Sequence, residues 1–301
     1  MAPELLRLLE RLRDIPYDAP FSLGAHSTVG VGGDASVAFR PRCAGQIVRC
    51  VRAAEQENVP YFLLGFGSNV LPADAGFRGA IIRTVHAGRM VLRGGRLFAE
   101  CGAPVAAMLS LAAAHGRGGL AFLAGIPATV GGALFMNAGA RGRYIGGAAE
   151  SVTVYEKGEV RCLRAGECRF DYKDTRFMHE GSVILSATFR TEADERAGEA
   201  IAAALAARAS LPRERSMGCV FKNPCGASAG ELIERAGLKG LRIGGARVSE
   251  KHANFIVNCG GATAADFCRV IVAVREKVFS ETGIVLEEEI RYIGDQYASD
   301  G

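Results

Sequence analysis

Leu63-Leu64-Gly65-Phe66-Gly67-Ser68-Asn69-Val70-Leu71 leaves a β-type run, turns on two glycines and enters a second apolar run. A turn of this kind can aim several backbone N–H groups at one anion, as an amide nest does with a phosphate. It is not the Rossmann fingerprint. GxGxxG has to open a helix, whereas Asn69 stands where the third glycine is needed and Pro72 follows at once. Taken alone, such a turn is more often a plain strand-to-loop connection, so its meaning depends on what flanks it.

Outward from this turn, short β-type runs alternate with helical stretches from about 37 to 189. Helices are expected over 44–58, with Ile47, Val48 and Val51 inward, and over 104–115. Strands are expected over 61–64, 80–83, 151–155 and 183–189. An Ala/Glu-rich helix over 192–211 stops at Pro212, and the charged Arg213-Glu214-Arg215 marks a junction, with a second domain beginning near Met217. There, Ser228 with Glu231 reads as a capping box for a short helix closed by Gly237. Thr263 with Asp266 starts a longer helix that Gly283 ends, and strands fit at 252–257 and 289–293. The pattern is α+β. At the other end, Leu5, Leu8, Leu9 and Leu12 make 1–14 an amphipathic helix rather than an export signal.

Composition narrows the function classes. With 301 residues, 49% hydrophobic and 23% charged, the chain is an ordinary globular protein of about two domains. A net charge of +4, from 36 basic and 32 acidic side chains without a basic block, gives no reason to expect nucleic acid or an anionic membrane. Nine cysteines without a CxxC pair indicate neither a disulfide framework nor a metal site, and read as reduced thiols in a cytoplasm. Residues 119–140 carry no charge but hold five glycines, Pro127 and Asn137, so they read as buried turns beside a ligand and not as a membrane span.

Glycine is the outlier, at 39 residues, nearly twice average usage, and it is clustered. A second dense loop, Gly125-Ile126-Pro127-Ala128-Thr129-Val130-Gly131-Gly132-Ala133, runs on to Asn137-Ala138-Gly139. Two such loops favour a large cofactor with a pyrophosphate and a flat apolar ring over mere tight packing. Met217-Gly218-Cys219-Val220-Phe221-Lys222-Asn223-Pro224 places a thiol, an ammonium and an amide together, which suits a phosphorylated ligand and an acid/base group. A lone cysteine is usually a small core residue. In Leu286-Glu287-Glu288-Glu289-Ile290, period 2 puts Glu287 and Glu289 on one face and Glu288 on the other, although most acidic triplets are solvated edges.

These blocks, with Lys251-His252-Ala253-Asn254-Phe255, occur in the order and spacing of the UDP-N-acetylenolpyruvoylglucosamine reductases, the MurB family of peptidoglycan synthesis, which the chain resembles from about Phe21 to Gly294. The resemblance implies a two-part FAD-binding region of the vanillyl-alcohol-oxidase (PCMH) type followed by a smaller α+β substrate-binding domain. It implies an N-terminal helix over 1–20, the FAD region over 21–191, a helix and linker over 192–216 and the substrate domain over 217–301, its C-terminal strand returning to the active site. It further implies that NADPH reduces non-covalent FAD, that hydride then passes to C3 of UDP-N-acetylglucosamine enolpyruvate, and that an enzyme acid protonates C2 to give UDP-N-acetylmuramate.

Carried over by position, Gly65, Phe66, Gly67, Ser68 and Asn69 would hold the FAD pyrophosphate. Gly125, Ile126, Pro127, Thr129, Gly131, Gly132, Asn137 and Gly139 would line the flavin. Tyr172, Lys222, Asn223, Lys251 and His252 would face the substrate, and Glu289 would be the catalytic acidic residue. Two positions depart from the family pattern. Lys173 replaces the usual arginine that steadies the substrate carboxylate, keeping the charge but losing the bidentate fork. Cys219 replaces the usual proton-donating serine, and a thiol is the stronger acid. About 40 residues separate Phe177 from Gly218, with no insert carrying the tyrosine loop of one family branch. Two rivals remain: another flavin-dependent sugar or hydroxy-acid oxidase of the same fold, and a non-catalytic nucleotide-sugar or flavin-binding protein favoured by the Lys173 and Cys219 exchanges.

Overall fold

The computed structural model describes residues 2–294. The chain divides into two compact units, neither continuous in sequence. Among the described residues, unit one holds 2–18, 38–66 and 81–209, and unit two holds 19–37, 67–80 and 210–294. The chain passes from unit two to unit one within the strands Asp34–Phe39 and Phe77–Arg83.

In unit one the helix Pro3–Arg11 buries Leu5 and Leu8, with Leu12 buried just beyond its end, while Arg7 and Arg11 both pair with Glu57. The helix Ala44–Gln56 turns Ile47, Val48 and Val51 inward as its 3.6-residue period requires. A five-stranded antiparallel sheet runs in the order Glu159–Arg164, Ala149–Glu156, Val183–Arg190, Arg96–Glu100, Met90–Arg93. The helix Val105–Ala114 follows Pro104, where a fixed φ and a missing N–H suit a helix start.

The helix expected over 192–211 is shorter, Ala197–Ala206. Glu192–Ala193 is used as a strand against Arg117–Gly118, and the Asp194 carboxylate accepts the Arg196 N–H at 2.9 Å, turning the chain before a helix can begin. Its end comes before the residue that Pro212 would exclude from helical φ/ψ. The uncharged stretch 119–140 contains only one α-helix, Val130–Phe135. It is not buried throughout: Val130, Ala133 and Leu134 point inward, whereas Gly125, Pro127 and Gly132 are exposed. Among the described residues no helix is long and apolar enough to cross a membrane.

Unit two is built around the helix Ala264–Thr282. Thr263 and Asp266 form the expected reciprocal cap, and Gly283 ends the helix at φ +69°, a left-handed position that costs glycine least. The helix packs Phe267, Val270, Ile271, Val274 and Val278 into a core shared with Ala229–Arg235 and with Val29, Val31 and Leu71. A four-stranded antiparallel sheet has the order Ser216–Cys219, Phe255–Asn258, Ala246–Val248, Arg242–Ile243. The segment 67–80 belongs here for two reasons. Val70–Pro72 pairs in parallel with Arg291–Ile293, and the Asp74 carboxylate accepts the N–H groups of Ala264 and Ala265 at 2.7 and 3.0 Å. Those amides are among the four that a helix start cannot satisfy itself, and a negative charge there is worth about 0.3–1 kcal/mol.

Both terminal strands of unit two begin later than period 2 suggests. The strand expected at 252–257 is Phe255–Asn258, because Phe255 N–H closes a turn onto His252 C=O at 2.9 Å. The strand expected at 289–293 is Arg291–Ile293. Residues 287–289 instead lie along 220–222, with Lys222 N–H on Glu287 C=O and Glu289 N–H on Val220 C=O, each at 2.8 Å.

Candidate active site

In unit one the two glycine loops meet. A Cβ added at Gly65 would stand 2.6 Å from Thr129 Oγ1, so only glycine lets the end of the strand Tyr61–Leu64 come this close. Thr129 is 2% exposed and caps Val130–Phe135, its hydroxyl accepting the Gly132 N–H at 3.2 Å. Gly131 N–H is bonded to Cys101 C=O at 2.7 Å. Burial pushes the Cys101 and Cys50 thiols up to about 12, so neither ionises near neutral pH.

Asn137, 3% exposed, ties the second loop to the turn bearing Tyr172 and Lys173. Its Nδ2 donates to Asp171 C=O at 2.8 Å and its Oδ1 accepts the Gly146 N–H at 3.0 Å. Thr175 Oγ1 donates to Phe135 C=O at 2.9 Å, a second strut between the same elements. Gly139 pairs with Tyr144, whose ring meets Tyr172 edge-on at 6.0 Å. Lys173 has φ +53°, a left-handed conformation that costs a non-glycine residue of order 1–3 kcal/mol and tends to mark functional positions. Unit one thus gathers Gly65, Thr129, Gly131, Gly132, Asn137 and Gly139 with Tyr172 and Lys173. Phe66 is exposed, and Ile126 is half-buried between the exposed Gly125 and Pro127.

Gly67, Ser68 and Asn69 fall in unit two. Gly67 has φ +67°, and a Cβ there would be 2.5 Å from His26 C=O; its own carbonyl accepts the Thr28 N–H at 3.0 Å. Asn69 Nδ2 donates to Glu289 C=O at 3.0 Å and Asn69 C=O accepts the Arg291 N–H at 2.9 Å. The turn expected to serve the cofactor also holds the main chain of the expected catalytic carboxylate.

Cys219 is half-buried at the end of Ser216–Cys219. Opposite Phe255–Asn258 the register slips between Ser216 and Cys219, with Gly218 at φ +80°, so the strand bulges just before the thiol. A bulge re-aims the next side chain. Lys222 Nζ lies 3.3 Å from Glu287, a side chain 73% exposed, and Asn223 Oδ1 accepts the Ala229 N–H at 3.0 Å. The acidic triplet separates: Glu287 meets Lys222, Glu288 pairs with Arg275 and accepts from the Tyr292 hydroxyl, and Glu289 is 9% exposed.

Lys251 is exposed, its Nζ 4.0 Å from Glu214. His252 packs its ring edge-on to Phe255 at 5.0 Å; burial lowers its pKa, and its Nδ1 is buried without a hydrogen-bond partner among the described residues. A neutral imidazole with an unsatisfied nitrogen is a ready contact for a polar ligand. Asn254, to which the sequence motifs assign no role, engages the main chain of Val220 and Phe221 through three side-chain hydrogen bonds. An amide at the entry to the apolar run Ala253-Asn254-Phe255-Ile256-Val257 was the available signal, because a buried amide must find partners.

Residues 211–293 match the family model described as UDP-N-acetylenolpyruvoylglucosamine reductase, C-terminal domain, and residues 35–157 match one described as an FAD binding domain. The chain is 41% identical over 278 residues to the UDP-N-acetylenolpyruvoylglucosamine reductase of Moorella thermoacetica, covering 91% of this chain and 92% of that protein. It is 38% identical over 286 residues to the one from Pelobacter propionicus, covering 93% and 95%. Among solved structures, the UDP-N-acetylenolpyruvylglucosamine reductase (MurB) of Thermus caldophilus superposes with a TM-score of 0.79 at 33% identity, over 93% of this chain and 98% of that one.

Proposed function

The chain belongs to the UDP-N-acetylenolpyruvoylglucosamine reductase family, and from that premise we propose that it reduces UDP-N-acetylglucosamine enolpyruvate to UDP-N-acetylmuramate, with NADPH as reductant and non-covalent FAD as carrier. The reaction serves peptidoglycan precursor synthesis, and we place it in the cytoplasm. The observation that carries the chemistry is the hydrogen bond from Glu289 N–H to Val220 C=O, which fixes the backbone of the carboxylate one residue from that of the Cys219 thiol.

The fit of FAD is supported by the contact between Gly65 and Thr129. Backbone there comes as near as packing permits, beside a capped helix start and next to an exposed glycine edge. A glycine edge that admits no side chain suits the close approach of a pyrophosphate and a flat ring. No His or Cys stands out as a covalent attachment point. When bound, FAD supplies hydride transfer from NADPH to C3 of the enolpyruvyl group.

The protein's own residues do the remainder. Cys219 donates a proton to C2, the thiol taking the place of a hydroxyl as the positioned general acid. Lys173 sets its ammonium against the substrate carboxylate as negative charge spreads onto it, from a turn already held in the left-handed region. Glu289, with its main chain held through both its N–H and its C=O, serves as the catalytic acidic residue from a buried position. Lys222 and His252 face the UDP-sugar, and the substrate diphosphate competes with Glu287 for the Lys222 ammonium. The rival oxidase reading leaves 218–224 without a purpose, and those residues lie within the C-terminal family match.

Isotope placement tests the reading. In heavy water, the lactyl product should carry solvent deuterium at C2. Absence of the lactyl product, or a C2 position without solvent label, would falsify the assignment.

A further inference from the structure

We infer that Asn254 is a positioning residue for proton transfer: its carboxamide fixes the backbone of Val220 and Phe221, and through it the placement of Cys219 relative to Glu289. This rests on the reading of function above.

The strand Ser216–Cys219 bulges at Gly218, and its last ladder pair is Cys219 with Phe255. Beyond that pair the backbone of Val220 and Phe221, both essentially inaccessible, needs partners that a ladder no longer offers. Asn254 supplies them. Its Oδ1 accepts the N–H of Val220 at 3.2 Å and of Phe221 at 2.9 Å, while its Nδ2 donates to Phe221 C=O at 2.8 Å. Asn254 C=O also accepts the Val220 N–H at 2.9 Å. A carboxamide presents a carbonyl acceptor and an N–H donor side by side, as a peptide group does, so this side chain continues the sheet where the backbone stops.

On the other edge of the same segment, Val220 C=O accepts Glu289 N–H and Lys222 N–H donates to Glu287 C=O, each at 2.8 Å. Residues 220–222 are therefore clamped between Asn254 and the acidic triplet. The residue next to the thiol is bonded on one side to Asn254 and on the other to Glu289. Without the side-chain amide, the Phe221 N–H and C=O would be left buried and unpaired and Val220 N–H would keep only the Asn254 main-chain carbonyl, so the segment would have to move to recover partners. A shift of about 1 Å at a proton donor can cost on the order of 10²-fold in rate.

Two variants of the FAD-loaded full chain test this, each followed anaerobically through flavin reduction by NADPH and reoxidation by UDP-N-acetylglucosamine enolpyruvate. Asn254→Asp keeps shape and the acceptor contacts but loses the donor to Phe221; Asn254→Ala loses all three side-chain bonds. Both should bind FAD and be reduced within about two-fold of the parent rate. Reoxidation should slow about 10-fold for Asn254→Asp and about 10²-fold for Asn254→Ala. Reoxidation of either variant within two-fold of the parent overturns the inference. So does an Asn254→Asp protein that loses flavin or NADPH reduction, since the residue would then be holding the fold and not the proton donor. A parent protein that is itself never reoxidised by the substrate counts against the functional reading instead.

Discussion

The contact between Gly65 and Thr129 offers a perturbation whose size can be worked from geometry. Gly65 has no left-handed φ, so Gly65→Ala introduces no backbone strain; its whole effect is the new methyl, 2.6 Å from Thr129 Oγ1 and 3.2 Å from its Cγ2. Thr129 is fully buried and cannot swing aside without releasing the Gly132 N–H that it caps. Overpacking a tight site costs about 1–3 kcal/mol and a lost N-cap about 1 kcal/mol, so Gly65→Ala should destabilise by about 2 kcal/mol, or roughly 4–8 °C in Tm for a unit of this size. Thr129→Ala alone should cost about 1 kcal/mol, the cap only. In the double variant the new methyl meets just the 129 Cβ, at 3.5 Å, an ordinary contact. The two substitutions should therefore be non-additive, the double variant being no worse than Thr129→Ala, with a coupling of about 1–2 kcal/mol. Urea unfolding of the four proteins, followed by flavin release, gives the cycle. Additive losses would refute the close approach as the reason for glycine at 65, and so would Gly65→Ala with parental stability and flavin content.

Glu289→Gln should slow flavin reoxidation by substrate and spare reduction by NADPH, whereas Glu288→Gln should spare both, because Glu288 is engaged with Arg275 and Tyr292; equal losses from the two would show that the wrong carboxylate has been chosen. Cys219→Ala should lose about 10²–10⁴-fold in the substrate half-reaction, while Cys219→Ser retains much of it; near-normal single-turnover reoxidation in Cys219→Ala would reduce the thiol to packing. Backbone N–H groups of Gly245 and Thr263 hold the Asp266 carboxyl down to about 2 from its ordinary 3.8. Its folded pKa lies below the unfolded one, so the stability it contributes is present above about pH 4 and is lost as pH falls toward 2. Asp266→Asn should flatten the unfolding profile across that window; an unchanged acid limb would count against the assignment.

Much of the fold was legible because it follows from local physics. The apolar period of 44–58 became Ala44–Gln56, and Thr263 with Asp266 and Gly283 marked both ends of the long helix. What local patterns could not carry was pairing. Nothing near Asp74 in sequence announces that its carboxylate serves the start of a helix 190 residues on. That bond, with the parallel pair at Val70–Pro72, is why a turn expected to belong wholly to the cofactor region lies partly in unit two. The site was read in the same uneven way. Glycines, thiols and charged groups stand out as residue types, so Gly65 and Glu289 could be proposed from motifs shared with a family, and Lys173 and Cys219 from motif positions at which this chain differs. Asn254 makes its contribution through hydrogen bonds to backbone 33 and 34 residues earlier in the chain, and no spacing rule reports that.

As a reductase, the protein passes electrons from NADPH to an enolpyruvyl sugar nucleotide in the proposed reaction. Flavin absorbance followed under strict anaerobiosis tests it most directly, first on adding NADPH and then on adding UDP-N-acetylglucosamine enolpyruvate. The flavin should bleach at the first addition and regain its full colour at the second, in proportion to substrate added. Bleaching with no return until air is admitted would contradict it.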